Sequence, residues 1–357
     1  MSDEIRIRSH KGSYSVDFAA DGLAALNADV PEGTHFIVDE RVADLYCDSM
    51  ANILASPSVL LIEAREENKS LDRFPAYVEH LAGRQLRRDQ RLVAIGGGIT
   101  QDITCFLAAN MLRGVAWWFI PTTLLAQADS CIGSKSSINS GAAKNILGTF
   151  TPPERVVIST HFLDTLDERD VRSGVGEMLK VHVIDGPPSF DAIAGDYDRI
   201  FSDPGVMERY IRRSLEIKKA YIETDEFDRG PRNIFNYGHS FGHAIEAATQ
   251  FAVPHGIAVT IGMDMANWIA SRLGVGSDDH YRRMHWALSR NFRGFERHVV
   301  PLKPFLSALS KDKKNVGSGT VTLILPDRDA RVSKDVYPVD STFRDLCHAY
   351  LTEVRAA

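Results

Sequence analysis

RLVAIGGGITQD, residues 91–102, decides how the chain is read. RLVAI (91–95) is a short apolar run of the kind that forms a buried strand, and it ends in Gly96, Gly97 and Gly98. Residues 99–112 then return apolar side chains at helical spacing, with Ile99, Ile103, Phe106, Leu107 and Met111 on one stripe. Strand, glycine turn and helix in that order predict one unit of a parallel α/β sheet. Three glycines let backbone N–H groups approach a phosphate, and the helix N-terminus adds a favourable dipole. The turn is not GxGxxG, so by itself it fits either a nucleotide pyrophosphate or a tight structural turn.

Upstream, EIRIR (4–8) and SYSVDF (13–18) alternate around a short polar link and predict a hairpin at the domain edge. HFIVDE (35–40) and VLLIEA (59–64) read as strands, each followed by a helical stretch: 41–54 and 71–86, the latter with Pro75 in its first turn. Asp39, at the end of HFIVDE, suits either ribose hydroxyls or the N-cap of the next helix. Downstream, WWFIP (117–121) is a further strand, and 122–150 reads as a polar, glycine- and serine-bearing loop. From about residue 168 the pattern turns helical, with helices expected over 167–184, 206–223, 238–250, 256–273 and 279–292. The expected architecture is therefore an α/β domain with a parallel, Rossmann-like sheet over 1–165 and a mostly α-helical domain over 166–357.

Bulk composition agrees with a globular protein of two domains. The 357 residues exceed one ordinary hydrophobic core, and 44% hydrophobic with 25% charged residues is normal for a globular protein. A formal net charge of -6 gives no support for nucleic-acid binding, and it means an anionic substrate needs a local basic cluster. Cys47, Cys105, Cys131 and Cys347 form no CxxC pair and read as small buried hydrophobes in a reducing compartment. No signal-peptide-like start and no membrane-length apolar run is present, so the sequence reading is cytoplasmic, with no membrane partner.

Two groups of residues carry chemistry. His239 and His243, four apart in NYGHSFGHAIE, share one helix face; His255 follows in VPHGIAV, and Glu177 lies three residues before Lys180 in GVGEMLK. Two histidines and a carboxylate are a common catalytic zinc set, although each residue alone also reads as an ordinary polar residue. The loop carries Lys135, Asn139, Lys144 and Asn145, which fit a phosphate ester and sugar hydroxyls or simply a solvated surface. Lys218, Arg232 and the KDKK run at 311–314 leave the same alternatives.

Taken in order, GGGxxxD, RG, PTTLLAQxDS, GxK, KN, GExxK, DExxxGxRxxxNxGHxxGHAxE and HG resemble the sugar phosphate cyclases, and most closely the 3-dehydroquinate synthase family, over roughly residues 30–330. The resemblance implies an active site in the cleft between the two domains. It implies zinc or cobalt on Glu177, His239 and His255, with His243 contacting substrate near the leaving phosphate. It implies NAD on Gly97, Gly98, Asp102, Thr122 and Thr123, with Asp39, Glu66 and Lys69 toward the adenosine end. Lys135, Lys144, Asn145 and Lys313 match phosphate-directed positions, and Asp129, Lys180 and Asn236 match positions that contact ring hydroxyls. Lys218 and Arg232 match the pair facing a substrate carboxylate. Arg113 matches an arginine reaching the neighbouring subunit's phosphate site, which implies a homodimer.

The implied reaction takes 3-deoxy-D-arabino-heptulosonate 7-phosphate through transient oxidation by NAD, β-elimination of phosphate, return of the hydride and intramolecular aldol closure. The chain departs from the family pattern at GSKSSIN, where Ser134 replaces a glycine before Lys135, at GITQD, and at PRNIFNYGHS. These changes leave open a sister cyclase acting on another sugar phosphate such as sedoheptulose 7-phosphate. A metal-dependent NAD polyol dehydrogenase shares the domain plan but needs no phosphate-directed lysines. A binding protein without activity would have no use for the full set.

Overall fold

The computed structural model describes residues 4–141, 143–311 and 319–356. It divides into two compact units, Met1–Leu166 with Lys218–Phe227, and Asp167–Ile217 with Asp228–Ala357.

The first unit is built on a seven-stranded sheet. Its strands are β1 (Glu4–Ser9), β2 (Gly12–Phe18), β3 (Thr34–Asp39), β4 (Val59–Ile62), β5 (Arg91–Gly96), β6 (Ala116–Pro121) and β7 (Arg155–Ile158), in spatial order β1-β2-β7-β6-β5-β3-β4. β1 and β2 form the predicted antiparallel hairpin, with Ser9 opposite Gly12, and every other pairing is parallel. Phe36–Val38 and Leu92–Ile95 are fully buried, as strands covered on both faces require. β1 instead buries Ile5 and Ile7 and exposes Glu4, Arg6 and Arg8. From β3 the chain runs to one edge at β4. After β5 it runs toward the other, so the strand order reverses between β3 and β5. Ligands of open α/β sheets settle at the carboxyl ends of strands at such a point. Asp39 and Gly96 occupy those ends and touch: a Cβ on Gly96 would stand 3.1 Å from that of Asp39.

Helix α1 (Gly98–Asn110) follows β5 as expected. Two stretches differ from the sequence reading. The helix expected over 41–54 is broken into Glu40–Leu45 and Ala51–Leu54. Cys47, Asp48 and Ser49 are weak helix formers, and Asn27 Oδ1 accepts from the N–H groups of Asn52 and Ile53, giving the second piece its own N-terminal partners. The expected loop 122–150 contains a π-helical turn, Ala126–Ser130, and a small hairpin, Ile138–Ser140 with Ala143–Leu147.

The second unit is mostly helical. It contains α2 (Glu168–Asp185), the first part of α3 (Pro204–Thr224), α4 (His239–Ala248) and α5 (His255–Arg272). α5 is its centre, with Gly256–Ala270 buried on every side. The sequence reading assigned nothing after 292. The structure adds a helix at Leu302–Ser310, a hairpin of Thr320–Pro326 with Val332–Pro338, and a helix at Ser341–Thr352. Val321–Leu325 is a continuous buried run, and such a run has no periodicity to betray a strand. Among the described residues no helix is long and apolar enough to cross a membrane.

Candidate active site

Glycines at helix crossings assemble the metal-type cluster of the second unit. Gly176, beside Glu177, faces α5 so closely that a Cβ would lie 2.3 Å from Gly256 O. Gly256, beside His255, would place one 1.8 Å from Ser173 O, and Gly262 would place one 2.1 Å from Gly238 O, next to His239. Backbone therefore meets backbone where α2, α4 and α5 cross, and the neighbouring side chains converge.

They converge on one carboxylate oxygen. Glu177 is buried, and Lys180 Nζ donates to its Oε2 at 2.5 Å. Its Oε1 is buried without a hydrogen bond from any described residue, while His239 Nε2 and His255 Nε2 stand 3.7 and 3.4 Å away. The imidazole tautomers follow from the other ring nitrogens. His239 Nδ1 lies 3.2 Å from Tyr237 O, and His255 Nδ1 lies 3.1 Å from Glu246 Oε2. Both partners only accept, so each Nδ1 carries hydrogen, and the neutral form of either ring then turns an Nε2 lone pair toward Glu177.

Three acceptors facing one point fit a divalent cation, and the His-His-Glu donor set is that of catalytic zinc. The electrostatics make the same demand. Burial favours an uncharged Glu177, but Lys180 and the two histidines outweigh it and hold the carboxyl well below its usual range. Burial, then the Lys180 cation, push His239 well down into the neutral form that ligates. Burial also disfavours charge at His255, yet Glu177 and Glu246 hold it up at about 10, so a metal ion at Nε2 has to displace a proton. His243 joins the cluster: one nitrogen from each of His239, His243 and His255 lies within 4.8 Å of the others. His243 is exposed, whereas the other two are partly buried. Asn236 ends the turn Pro231–Asn236 and donates to Asn233 O, and Arg232 is buried in the same turn.

The first unit gathers the remaining candidates around the glycine turn and the following loop. Gly97 caps α1 without a side-chain hydrogen bond, and a Cβ on Gly98 would meet open space. Thr122 N donates to Gly96 O, and Thr123 packs against Gly97. Asp39 accepts from Arg41 N at 3.0 Å and so caps its helix, and burial raises its pKa. An open helix N-terminus and a strand-end carboxylate at the reversal of strand order fit a dinucleotide.

A polar network runs from there into the loop. Buried Lys69 donates to Asp102 Oδ2 at 3.1 Å and to Asn145 Oδ1 at 3.0 Å, with Glu66 Oε1 at 3.5 Å. Burial raises Asp102 to about 6 even with Lys69 beside it. Asn139 bridges Glu66 and the Asn145 N–H. Lys135 and Lys144 are exposed on this framework. Buried Lys218 donates to Asp129 O at 2.6 Å and forms an ion pair with Asp129 Oδ1 at 2.9 Å. Arg113 is exposed after α1, and both it and Leu112 hold left-handed φ values of 65° and 52°. Lys313 lies outside the described residues.

Sequence reasoning missed Glu246. Glu246 lies seven residues after His239 on α4, the spacing of a shared helix face, so its place near the cluster was readable.

Comparison with known proteins agrees along the chain. A family model described as 3-dehydroquinate synthase N-terminal matches residues 59–173, and one described as 3-dehydroquinate synthase C-terminal matches 174–315. The chain is 37% identical over 299 residues to the 3-dehydroquinate synthase of Acidithiobacillus ferrooxidans (strain ATCC 53993 / BNL-5-31), covering 81% of each. It is 33% identical over 339 residues to that of Sinorhizobium medicae (strain WSM419), covering 90% of this chain and 89% of the other. Among solved structures, 2-deoxy-scyllo-inosose synthase complexed with carbaglucose-6-phosphate, NAD+ and Co2+ matches with a TM-score of 0.85 at 23% identity, over 98% of this chain and 99% of that one. The 2-epi-5-epi-valiolone synthase ValA from Streptomyces hygroscopicus subsp. jinggangensis 5008, with NAD+ and Zn2+ bound, matches at 0.79 and 27%, over 95% of both chains. With its parallel sheet, its helical metal-type cluster and these relatives, the chain belongs to the 3-dehydroquinate synthase family.

Proposed function

We propose that the chain is a 3-dehydroquinate synthase, which converts 3-deoxy-D-arabino-heptulosonate 7-phosphate to 3-dehydroquinate and phosphate. The observation that carries this reading is the convergence of His239 Nε2 and His255 Nε2 on the orphaned Oε1 of Glu177, in a chain 37% identical to such an enzyme. NAD is assigned to residues 1–165, at Gly97, Gly98, Asp102, Thr122 and Thr123, with Asp39, Glu66 and Lys69 toward adenosine. Zinc or cobalt is assigned to Glu177, His239 and His255 within 166–357. When bound, NAD supplies reversible oxidation of one ring hydroxyl and the metal supplies Lewis acidity at that hydroxyl.

The chain's own groups do the rest. Lys135, Lys144 and Asn145 neutralise the phosphate as its charge grows during departure, joined by Lys313 and by Arg113 of a second subunit in a homodimer. The strained, exposed Leu112–Arg113 turn supports that role, because such backbone persists where a side chain must be aimed. Lys180 orients Glu177 through its ion pair. Asp129 and Asn236 hold ring hydroxyls. His243, exposed beside the cluster, steers the carbon-bound proton toward the phosphate oxygens. Lys218 and Arg232 recognise the substrate carboxylate, which a substrate such as sedoheptulose 7-phosphate lacks. Four free cysteines, three of them buried, suit the reducing cytoplasm.

The test is phosphate release by purified protein with NAD and zinc or cobalt. Release with a cyclic product and no net NADH is expected. NADH accumulation without phosphate would overturn the reading in favour of a polyol dehydrogenase. Release from sedoheptulose 7-phosphate alone would move the substrate to that of a sister cyclase.

A further inference from the structure

Ser134 immediately precedes the proposed phosphate lysine Lys135 and holds φ at +66°, a region that favours glycine. A serine there carries backbone strain unless something compensates. The compensation is a specific contact: Ser134 Oγ donates to Glu226 Oε1 at 2.7 Å. The same carboxylate is gripped by the turn of the N-terminal hairpin. Ser9 Oγ donates to Oε1 at 2.5 Å, His10 N donates to Oε2 at 2.8 Å, and His10 Nδ1 lies 3.1 Å from Oε1.

Neighbouring bonds extend the clamp. Gly133 N donates to Tyr14 Oη at 3.2 Å, Thr151 N donates to Ser134 O at 2.7 Å, and Arg8 N donates to Glu223 Oε1 at 2.9 Å. Phe227 packs between His10 and Phe150, with ring centroids 5.2 and 5.1 Å away. Burial would raise the Glu226 carboxyl, but its bonds from Ser134, Ser9 and His10 outweigh that and lower it.

We propose that Ser134 is a positioning residue: with Glu226 and the Ser9–His10 turn it forms a latch that fixes the backbone carrying Lys135. The identification of Lys135 as a phosphate contact rests on the function proposed above; the latch itself rests only on this geometry. A glycine could adopt the turn without strain but could not close the latch. A serine closes it, so the loop is aimed by a side-chain bond. The consequence is kinetic: a loosened loop still bears its lysine but presents it to the phosphate in fewer molecules, so KM is affected more than kcat.

The experiment compares the full-length wild type with Ser134→Ala, Ser134→Gly and Glu226→Gln. It reads amide hydrogen exchange over residues 131–137 and the kinetics of phosphate release. Exchange in that segment should accelerate roughly tenfold or more in Ser134→Ala and Ser134→Gly, with Glu226→Gln intermediate because its amide oxygen still accepts. KM should rise roughly tenfold with kcat changed less than about threefold. Ser134→Gly should melt no lower than Ser134→Ala, since glycine relieves the strain. Unchanged exchange in Ser134→Ala overturns the latch whatever the kinetics. Accelerated exchange in a protein whose wild type releases no phosphate upholds the latch and sinks the functional reading, so the two failures are distinguishable.

Discussion

The metal-type cluster of the second unit and the lysine-bearing loop of the first hold their charges in opposite ways. In the second, Glu177 and Lys180 are buried, and their positions follow from helices that touch backbone to backbone at Gly176, Gly256 and Gly262. In the first, the proposed phosphate lysines Lys135 and Lys144 are exposed, on a loop wired by the hydrogen bonds Lys69 to Asn145, Asn145 to Asn139 and Ser134 to Glu226. A metal site needs acceptors at fixed separation, and close packing gives that. A phosphate arriving from water needs cations that water can reach, and a side-chain network aims them without burying them. The contrast separates rigidity from accessibility, and it can be broken at either end.

The largest effect is expected at Gly256. A Cβ there meets Ser173 O at 1.8 Å, so Gly256→Ala should cost roughly 3 kcal/mol or more and abolish zinc binding, read by thermal unfolding and a zinc-competition titration. A variant that melts normally and binds zinc would end the idea that glycine contacts set the cluster. Next is Glu177→Gln, which removes the carboxylate charge from the cluster. It should lower zinc affinity by at least a hundredfold, a bound of the order set by even outer-shell losses, with phosphate release falling in step. Wild-type affinity in this variant would remove Glu177 from the ligand set.

Much of this was legible in the chain. RLVAIGGG predicted strand β5 and its turn because four buried apolar residues followed by glycines have few other uses. The i,i+4 spacing of His239 and His243 predicted a shared face, and Glu177 and His255 joined through resemblance. What spacing could not supply was which ring nitrogen points where. That depends on Tyr237 O, a backbone atom, and on the bond between Glu246 and His255, which forms only where α4 meets α5. The hairpin in 122–150 was hidden because Ala143–Ile146 are exposed and polar-flanked, which removes the alternation that marks a strand. Ser134 stood out in the sequence as a departure, but its reason, a left-handed backbone bonded to Glu226, is a long-range fact.

Acid should distinguish the units more gently. Burial pushes His182 and His280 of the second unit down to about 4. Both are lowered from an unfolded value near 6.5, so the fold favours their neutral forms. Their contribution is complete above pH ~6.5 and is lost as pH falls toward ~4, roughly 2 kcal/mol each by pH 5. Asp102 of the first unit runs the other way: burial raises it to about 6, so its ionised form is a cost above that pH, relieved as pH falls toward the unfolded value. Urea unfolding at pH 7 and pH 5 should show a net loss of stability, and His182→Gln should flatten the slope. An unaltered slope in that variant would remove His182 as a cause.

The smallest effect is expected at Gly98, where an added methyl meets open space. Gly98→Ala should leave the melting temperature unchanged or raise stability by up to about 1 kcal/mol, because alanine is the better helix residue. NAD affinity should still fall several-fold, measured by fluorescence quenching, if backbone approach is what the turn provides. An unchanged NAD affinity would reduce GGG to a structural turn.

One side chain ties the proposed cofactor residues to the proposed phosphate residues. Lys69 donates both to Asp102, on the helix that opens at the glycine turn, and to Asn145, on the loop that carries Lys144. A ligand that changes what Lys69 bonds to on one side changes what Asn145 can offer on the other. By thermodynamic reciprocity, NAD then alters the affinity for inorganic phosphate by the same factor by which phosphate alters the affinity for NAD. That coupling would be set by a single ammonium group that takes no part in the chemistry itself.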